Sequence, residues 1–245
     1  MKFAAFLLEN KHKESISLEE AIYIVQTKCK KSMHNKIWRG GGFEDGIYLM
    51  DSSKTVRRSA NTANHYTLIL DHINNKKDLP LRSKSFIMSG SRDIAEQFGT
   101  CLRIIPFDDA KIGLTGEEDF WYVQLNTDDD LDFEYFGALF SNLKISNKSY
   151  DDLINSCVET LIDLREKEKD DNVGRDDEQF LNIFKDFDAT TEGVEKALLK
   201  AFDCGLQYCT GATAIGKTKT NELWLSGKCL AVTDEIYDEI KKALN

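Results

Sequence analysis

Two stretches of the chain carry the spacing of familiar ligand-binding motifs, and three further segments carry chemistry without forming a compact motif. Gly211-Ala-Thr-Ala-Ile-Gly216-Lys217-Thr218 fits the phosphate-cradling pattern G-x-x-x-x-G-K-[ST] without a mismatch. That loop grips phosphates only when a buried strand leads into it and a helix opens at the lysine, so that backbone N–H groups and the helix dipole converge on the anion. Here the order reads inverted: a helix-like segment comes first, a strand-like Glu222–Leu225 follows, and the chain beyond Thr218 is too short for a parallel sheet. The acidic run Asp128, Asp130, Asp132 matches the first half of a calcium-binding loop, but Phe133 stands where that loop needs glycine and Leu139 where it needs a bidentate glutamate. Both motifs are therefore set aside, the second as a solvated charge run. The third set consists of Ile37-Trp38-Arg39-Gly40, Phe86-Ile87-Met88-Ser89-Gly90-Ser91 with Ala95 and Phe98-Gly99 after it, and Glu222-Leu-Trp-Leu-Ser-Gly-Lys228. These segments bring a guanidinium, hydroxyls and a carboxylate, groups that grip anions, hydrogen-bond, and stabilise positive charge.

In order and in strand-like character, with a helix ahead of the first, the three segments resemble the Arg-Ser-Glu class of ADP-ribosyltransferases. In that family an Arg ends the first core strand, a Ser-Thr-Ser follows an aromatic-led strand, and a Glu begins a late strand ahead of a turn. The likeness extends to Arg103–Ile112, where Ile-Ile-Pro-x-x-x-Ala-Lys-Ile looks like the family's strand, turn and strand after the Ser motif. The chain is also similar to a group of phage-encoded transferase-like proteins through Arg58-Ser59-Ala60-Asn61-Thr62-Ala63-Asn64 and Arg82-Ser83-Lys84-Ser85. The match runs from Ser17 to Trp121 and from Gly205 to Val232.

The resemblance implies an α+β fold with a split mixed or antiparallel sheet, an N-terminal helix, and a helical insert at about 128–204 within a single domain. It implies NAD as substrate, no metal, and transfer of ADP-ribose to a macromolecular acceptor, a host protein ahead of a nucleic acid, in a bacterial cytoplasm if the chain is phage-encoded. Breaking the bond between nicotinamide and ribose builds positive charge on the sugar, the kind of state that glycosidases stabilise with carboxylates. By resemblance Glu222 bonds a ribose hydroxyl and stabilises that charge, Arg39 grips the cofactor's phosphate or ribose, and Ser89 holds Glu222 or the nicotinamide side, with Ser91 in support. Gly40 would let the cofactor approach the backbone closely, and Asn61, Asn64 and Tyr66 would line the same cleft. The loop Gly205 to Lys219 would help choose the acceptor, with Tyr208, Lys219 and Thr220 facing it.

Two positions depart from the family's pattern. Gly90 replaces the central Thr of the Ser motif, and Thr220 stands two before Glu222, where many members carry Glu or Gln. Without that upstream Glu, used by members that modify arginine, the expectation is another acceptor or hydrolysis of NAD alone. Each of the three segments also has a plainer role: an Arg at a strand end pairs on the surface, Ser-Gly-Ser is an ordinary turn, and a leading Glu is solvated. Their ordered co-occurrence carries the enzymatic reading. A catalytically inactive interaction protein acting through its acidic helical segment is the competing one.

The elements that must position these residues follow from periodicity. Leu18, Ala21, Ile22, Ile24 and Val25 recur at helical spacing behind Ser17, a natural N-cap with Glu20 at the capping-box position. Ala60, Ala63, Tyr66, Thr67 and Leu70 share one face of a second helix over Val56 to Ile73, and Pro80 breaks the chain after it. A strand over Ser85–Ser89, a short helix from Arg92 ending near Gly99, and a strand over Cys101–Pro106 follow. Phe120 to Leu125 reads as an aromatic strand. Helices are expected at about Tyr135–Leu143, Tyr150–Lys167, Glu178–Phe187 and Thr191–Phe202. A strand at Leu223–Leu225, a Ser226-Gly227 turn, a strand at Cys229–Val232 and a helix from Asp234 close the chain.

Composition bounds the rest. The 245 residues are 41% hydrophobic and 30% charged with two prolines, which favours a packed fold over disorder. A net charge of -10 argues against a general nucleic-acid binder. Six scattered cysteines without a CxxC pair point to reduced thiols in a cytoplasm rather than to zinc or a disulfide framework. The apolar run Met1 to Leu8 precedes the lysines from Lys11, the wrong order for a secretory signal, and no apolar run is long enough to cross a bilayer.

Overall fold

The computed structural model of the protein describes residues 13–54, 64–117, 119–128, 130–169, 172–214 and 222–245. Nine described strands form one sheet: β1 (Lys13–Ser15), β2 (Trp38–Gly41), β3 (Ile47–Asp51), β4 (Phe86–Ser89), β5 (Thr100–Pro106), β6 (Lys111–Leu114), β7 (Gln207–Thr210), β8 (Glu222–Ser226) and β9 (Lys228–Val232). Their order is β1-β3-β9-β5-β2-β4-β8-β6-β7, and the ladders between them are antiparallel. β2 and β4 meet through a single pair, Trp38 opposite Ser89, whereas β2 with β5 and β4 with β8 pair along their whole length. The sheet thus consists of two strand groups joined at one position.

Alternation along the strands sends two sets of side chains to opposite faces. Met50, Phe86, Met88, Leu102, Ile104, Ile112, Leu114, Leu223, Leu225, Cys229 and Ala231 belong to one buried cluster. Ile47, Ile105, Leu230 and Val232 point the other way and pack on α1 (Leu18–Lys28) through Ala21, Ile24 and Val25, and on α8 (Asp234–Leu244) through Tyr237 and Ile240. Ser17 caps α1 by accepting from the Glu20 N–H at 3.2 Å, and Thr233 caps α8 by accepting from the Ile236 N–H at 3.4 Å.

The remaining helices are α2 (His65–Lys76), α3 (Arg92–Glu96), α4 (Phe133–Asn142), α5 (Tyr150–Glu168), α6 (Arg175–Phe184) and α7 (Thr191–Ala201). The chain divides into two compact units, one made of the sheet with α1, α3 and α8, the other of α2 and α4 to α7. The helical unit is larger than the expected insert, because α2 belongs to it. Its centre is aromatic: Phe120, Phe133, Phe136, Phe140, Phe180 and Phe184 are fully buried, with Phe120 stacked on Phe133 at 4.4 Å and Phe136 on Phe140 at 4.0 Å.

Several expectations are corrected. Phe120–Leu125 is not a strand but a single 3₁₀ turn at Phe120–Tyr122 followed by an isolated bridge from Gln124 to Asp132, because Phe120 and Trp121 pack against Tyr66 in the helical unit. The segment leading into Gly211 is the strand β7 rather than a helix. Gly211–Thr213 then forms a 3₁₀ turn, and the second half of the motif, with Gly216, Lys217 and Thr218, lies outside the described residues. α2 is seen from His65, and the expected start at Val56 lies outside the described residues. Among the described residues no helix is long and apolar enough to cross a membrane.

Candidate active site

Ser89 on β4 stands directly opposite Glu222 on β8, Trp38 on β2 stands opposite Ser89, and Arg103 on β5 stands opposite Trp38. Residues paired in this way share a face of the sheet with Cβ atoms about 5 Å apart. One row across the sheet therefore presents a guanidinium, an indole, a hydroxyl and a carboxylate on the same side. The row ends at Thr115, whose N–H donates to the Glu222 carbonyl at 3.1 Å and whose hydroxyl donates to the Glu117 carbonyl. The Trp38 indole N–H is buried and meets no acceptor among the described residues.

Ser89 is 6% exposed, and its Oγ accepts from the Ser91 N–H at 3.0 Å. That bond fixes the hydroxyl oxygen at the end of β4. Ser91 is the N-cap of α3, its Oγ accepting from the Ile94 N–H at 3.5 Å. The two serines thus divide their work, one closing a strand and the other opening a helix.

The Glu222 carboxylate is held by a residue that the sequence did not single out for the site. Arg82 donates from Nη2 to Glu222 Oε1 at 2.7 Å, and the two side chains are 7% and 16% exposed. Arg82 lies in a 3₁₀ turn, Arg82–Lys84, just before β4, and its guanidinium sits over the Trp224 ring at 5.6 Å. Trp224 is fully buried and donates its indole N–H to the Pro80 carbonyl at 3.1 Å, which anchors the segment that carries Arg82. The indole lies across Gly113 on β6, where a Cβ would come within 2.1 Å of two of its ring atoms. The absence of a side chain at position 113 is what lets Trp224 take this place.

Arg39 has a different orientation from the other site residues. It pairs with Leu102, is 6% exposed, lies 5.5 Å from the Phe86 ring, and donates from Nη1 to the Ile87 carbonyl. Alternation puts it on the face opposite Ser89 and Glu222. The close approach allowed by Gly40 is taken by the chain itself, since a Cβ there would meet the Ala95 carbonyl oxygen of α3 at 1.8 Å. That is a correction to the expectation that Gly40 leaves room for a cofactor.

Of the other expected site residues, Asn64 and Tyr66 belong to the helical unit and Tyr208 to the sheet. Tyr66 is 4% exposed within the aromatic core of the helical unit, against Phe120, Trp121 and Phe133. Asn64 begins α2, its carbonyl accepting from the Leu68 N–H. Tyr208 lies on β7 opposite Gly113, its ring edge-on to Trp224 at 6.0 Å. Asn61, Lys219 and Thr220 lie outside the described residues.

Thiol chemistry is disfavoured at four of the six cysteines. Burial pushes the Cys29 thiol up to about 12 and the Cys101 thiol to about 11, and raises Cys157 and Cys229 as well. A thiol raised in this way holds almost no thiolate at neutral pH. Among the described residues no group of three or more His, Cys, Asp or Glu side chains is placed to hold a metal ion. No family model, curated protein or solved structure matches the chain.

Proposed function

We propose that the protein is an NAD-dependent ADP-ribosyltransferase with Glu222 as its catalytic carboxylate. The observation that supports this reading is that β2, β4 and β8, remote in sequence, are consecutive in the sheet, with Ser89 facing Glu222 across one ladder. These are the three strands on which the transferase resemblance rests. In this reading the split between β2 and β4 corresponds to the family's split sheet.

The chemistry asks for a fixed negative charge beside a sugar. The C–N bond between ribose and nicotinamide breaks, its electron pair leaves with nicotinamide, and an oxocarbenium-like centre forms at the ribose carbon. Glu222 accepts a hydrogen bond from a ribose hydroxyl and stabilises the developing charge, an effect commonly worth several kcal/mol. A nucleophile on the acceptor protein then bonds to that carbon and releases its proton. Ser89 positions the carboxylate's neighbourhood through its hydroxyl. Arg39 serves by bonding the Ile87 carbonyl, two residues before Ser89, at the place where β2 and β4 share only one pair. It is thus a positioning residue in this reading rather than a phosphate grip.

Incubation of the protein with labelled NAD and a bacterial lysate tests the proposal. The expected result is released nicotinamide together with label that protease removes from macromolecules. Released nicotinamide without macromolecular label identifies a glycohydrolase that uses the same carboxylate. No nicotinamide release under any condition overturns the proposal.

A further inference from the structure

We infer that Arg82 is the positioning residue for Glu222, a role that rests on the reading of Glu222 as the catalytic carboxylate. A carboxylate that stabilises charge on a sugar must be aimed before the charge appears, because reorienting during the reaction forfeits the advantage of a preorganised site. Glutamate reaches its target through flexible torsions, so something must hold it. On β8 the backbone of Glu222 is fixed from both sides, its N–H donating to the Glu117 carbonyl at 3.2 Å and its carbonyl accepting from Thr115. The side chain is fixed by Arg82, whose planar fork directs its bonds more rigidly than a lysine could.

The rest of the local structure holds Arg82 in turn. Trp224, two residues along from Glu222 and on the same face, lies beneath the guanidinium and ties down Pro80. Gly113 leaves the groove that Trp224 fills, and Ser85 closes the turn by donating to the Leu81 carbonyl at 2.6 Å. β8, β6 and the turn before β4 therefore converge on the orientation of one carboxylate. A pair that served folding alone could sit anywhere on the sheet. This one ends on the carboxylate opposite Ser89.

Steady-state NAD turnover by the full chain, with Arg82→Ala, Arg82→Lys and Glu222→Gln variants, tests the inference. Arg82→Ala should lower kcat about 100-fold, the scale of a small misplacement of a reacting group, with KM unchanged within twofold and the melting transition retained. Millimolar guanidinium should restore part of that activity, which it would not do for a group that merely stabilises the fold. If Arg82→Ala does not fold, Arg82→Lys decides: a fall in kcat at constant KM supports the role, and an unchanged kcat overturns it. Unchanged kcat in a folded Arg82→Ala, alongside an inactive Glu222→Gln, overturns the role of Arg82 while leaving that of Glu222 intact. Glu222→Gln as active as the unsubstituted protein, or no turnover by the latter, overturns the reading of Glu222 and the inference with it.

Discussion

Ser89 and Glu222 face each other across the β4–β8 ladder, on the same side of the sheet as Trp38 and Arg103. The pairing is a consequence of strand order: β4 and β8 become neighbours only because β5, β6 and β7 are placed elsewhere in the sheet. A hydroxyl and a carboxylate from distant parts of the chain thereby occupy one row, and the packing behind them decides how well they hold it.

Gly113→Ala tests that packing. The added methyl would fall 2.1 Å from Cε2 and Cζ2 of Trp224, so the indole must move and take with it the bond to Pro80 and the support under Arg82. Overpacking of this kind costs about 1–3 kcal/mol. Thermal unfolding followed by circular dichroism should show a clear fall in Tm, with a red shift in tryptophan emission. A melt identical to that of the unsubstituted protein would mean that Trp224 does not occupy this groove.

His65 makes the fold pH-sensitive. Its Nε2 lies 2.9 Å from the Ile145 carbonyl, which can only accept, so that nitrogen carries the proton of a neutral ring. Burial pushes its pKa below the ordinary value of about 6.5, more strongly than the Ile145 bond raises it. The unfolded chain therefore binds the proton more readily than the fold does. Stability is fully present above about pH 6.5 and is lost as pH falls from there toward the lowered value. His72 is also pushed down, first by burial and then by Lys76 beside it, and acts in the same direction. Melts at pH 7.5 and 5.5 should show the protein less stable in acid, and His65→Gln, which can still donate to Ile145, should shrink the difference. A difference left intact by His65→Gln would assign the effect elsewhere.

The acidic run before α4 is structural. Asp132 caps α4 by accepting from the Tyr135 N–H at 2.7 Å, and Asp128 pairs with Lys185. Asp132→Ala should cost about 1 kcal/mol, the usual loss for a helix N-cap, without changing NAD turnover. Calcium should leave the Tm of the unsubstituted protein where it was. A calcium-dependent rise in Tm would contradict this assignment.

How much of this could be read in the sequence depended on whether the signal was local. α1, α5 and α7 announce themselves by helical spacing, α1 also by Ser17 as its cap, and β4, β8 and β9 by short apolar runs between turn residues. Phe120–Leu125 looked like a strand because aromatics favour pleated surfaces, yet the same bulk serves a helical core equally well. β3 has apolar residues at four consecutive positions and β7 is half exposed at the edge of the sheet, so neither shows alternation. The face taken by Arg39 could not be read from Trp38-Arg39-Gly40-Gly41, where the glycines erase the pattern. Arg82 was invisible as a site residue because its partner lies 140 positions away, and only the sheet order brings the two together.

The most direct test compares NAD binding with nicotinamide release in Glu222→Gln, which keeps the size of the side chain and removes its charge. NAD affinity should stay within about threefold of the unsubstituted protein while nicotinamide release slows by about 100-fold or more, the usual consequence of deleting a preorganised charge-stabilising group. Release at the unsubstituted rate, with affinity unchanged, would contradict the assignment of Glu222.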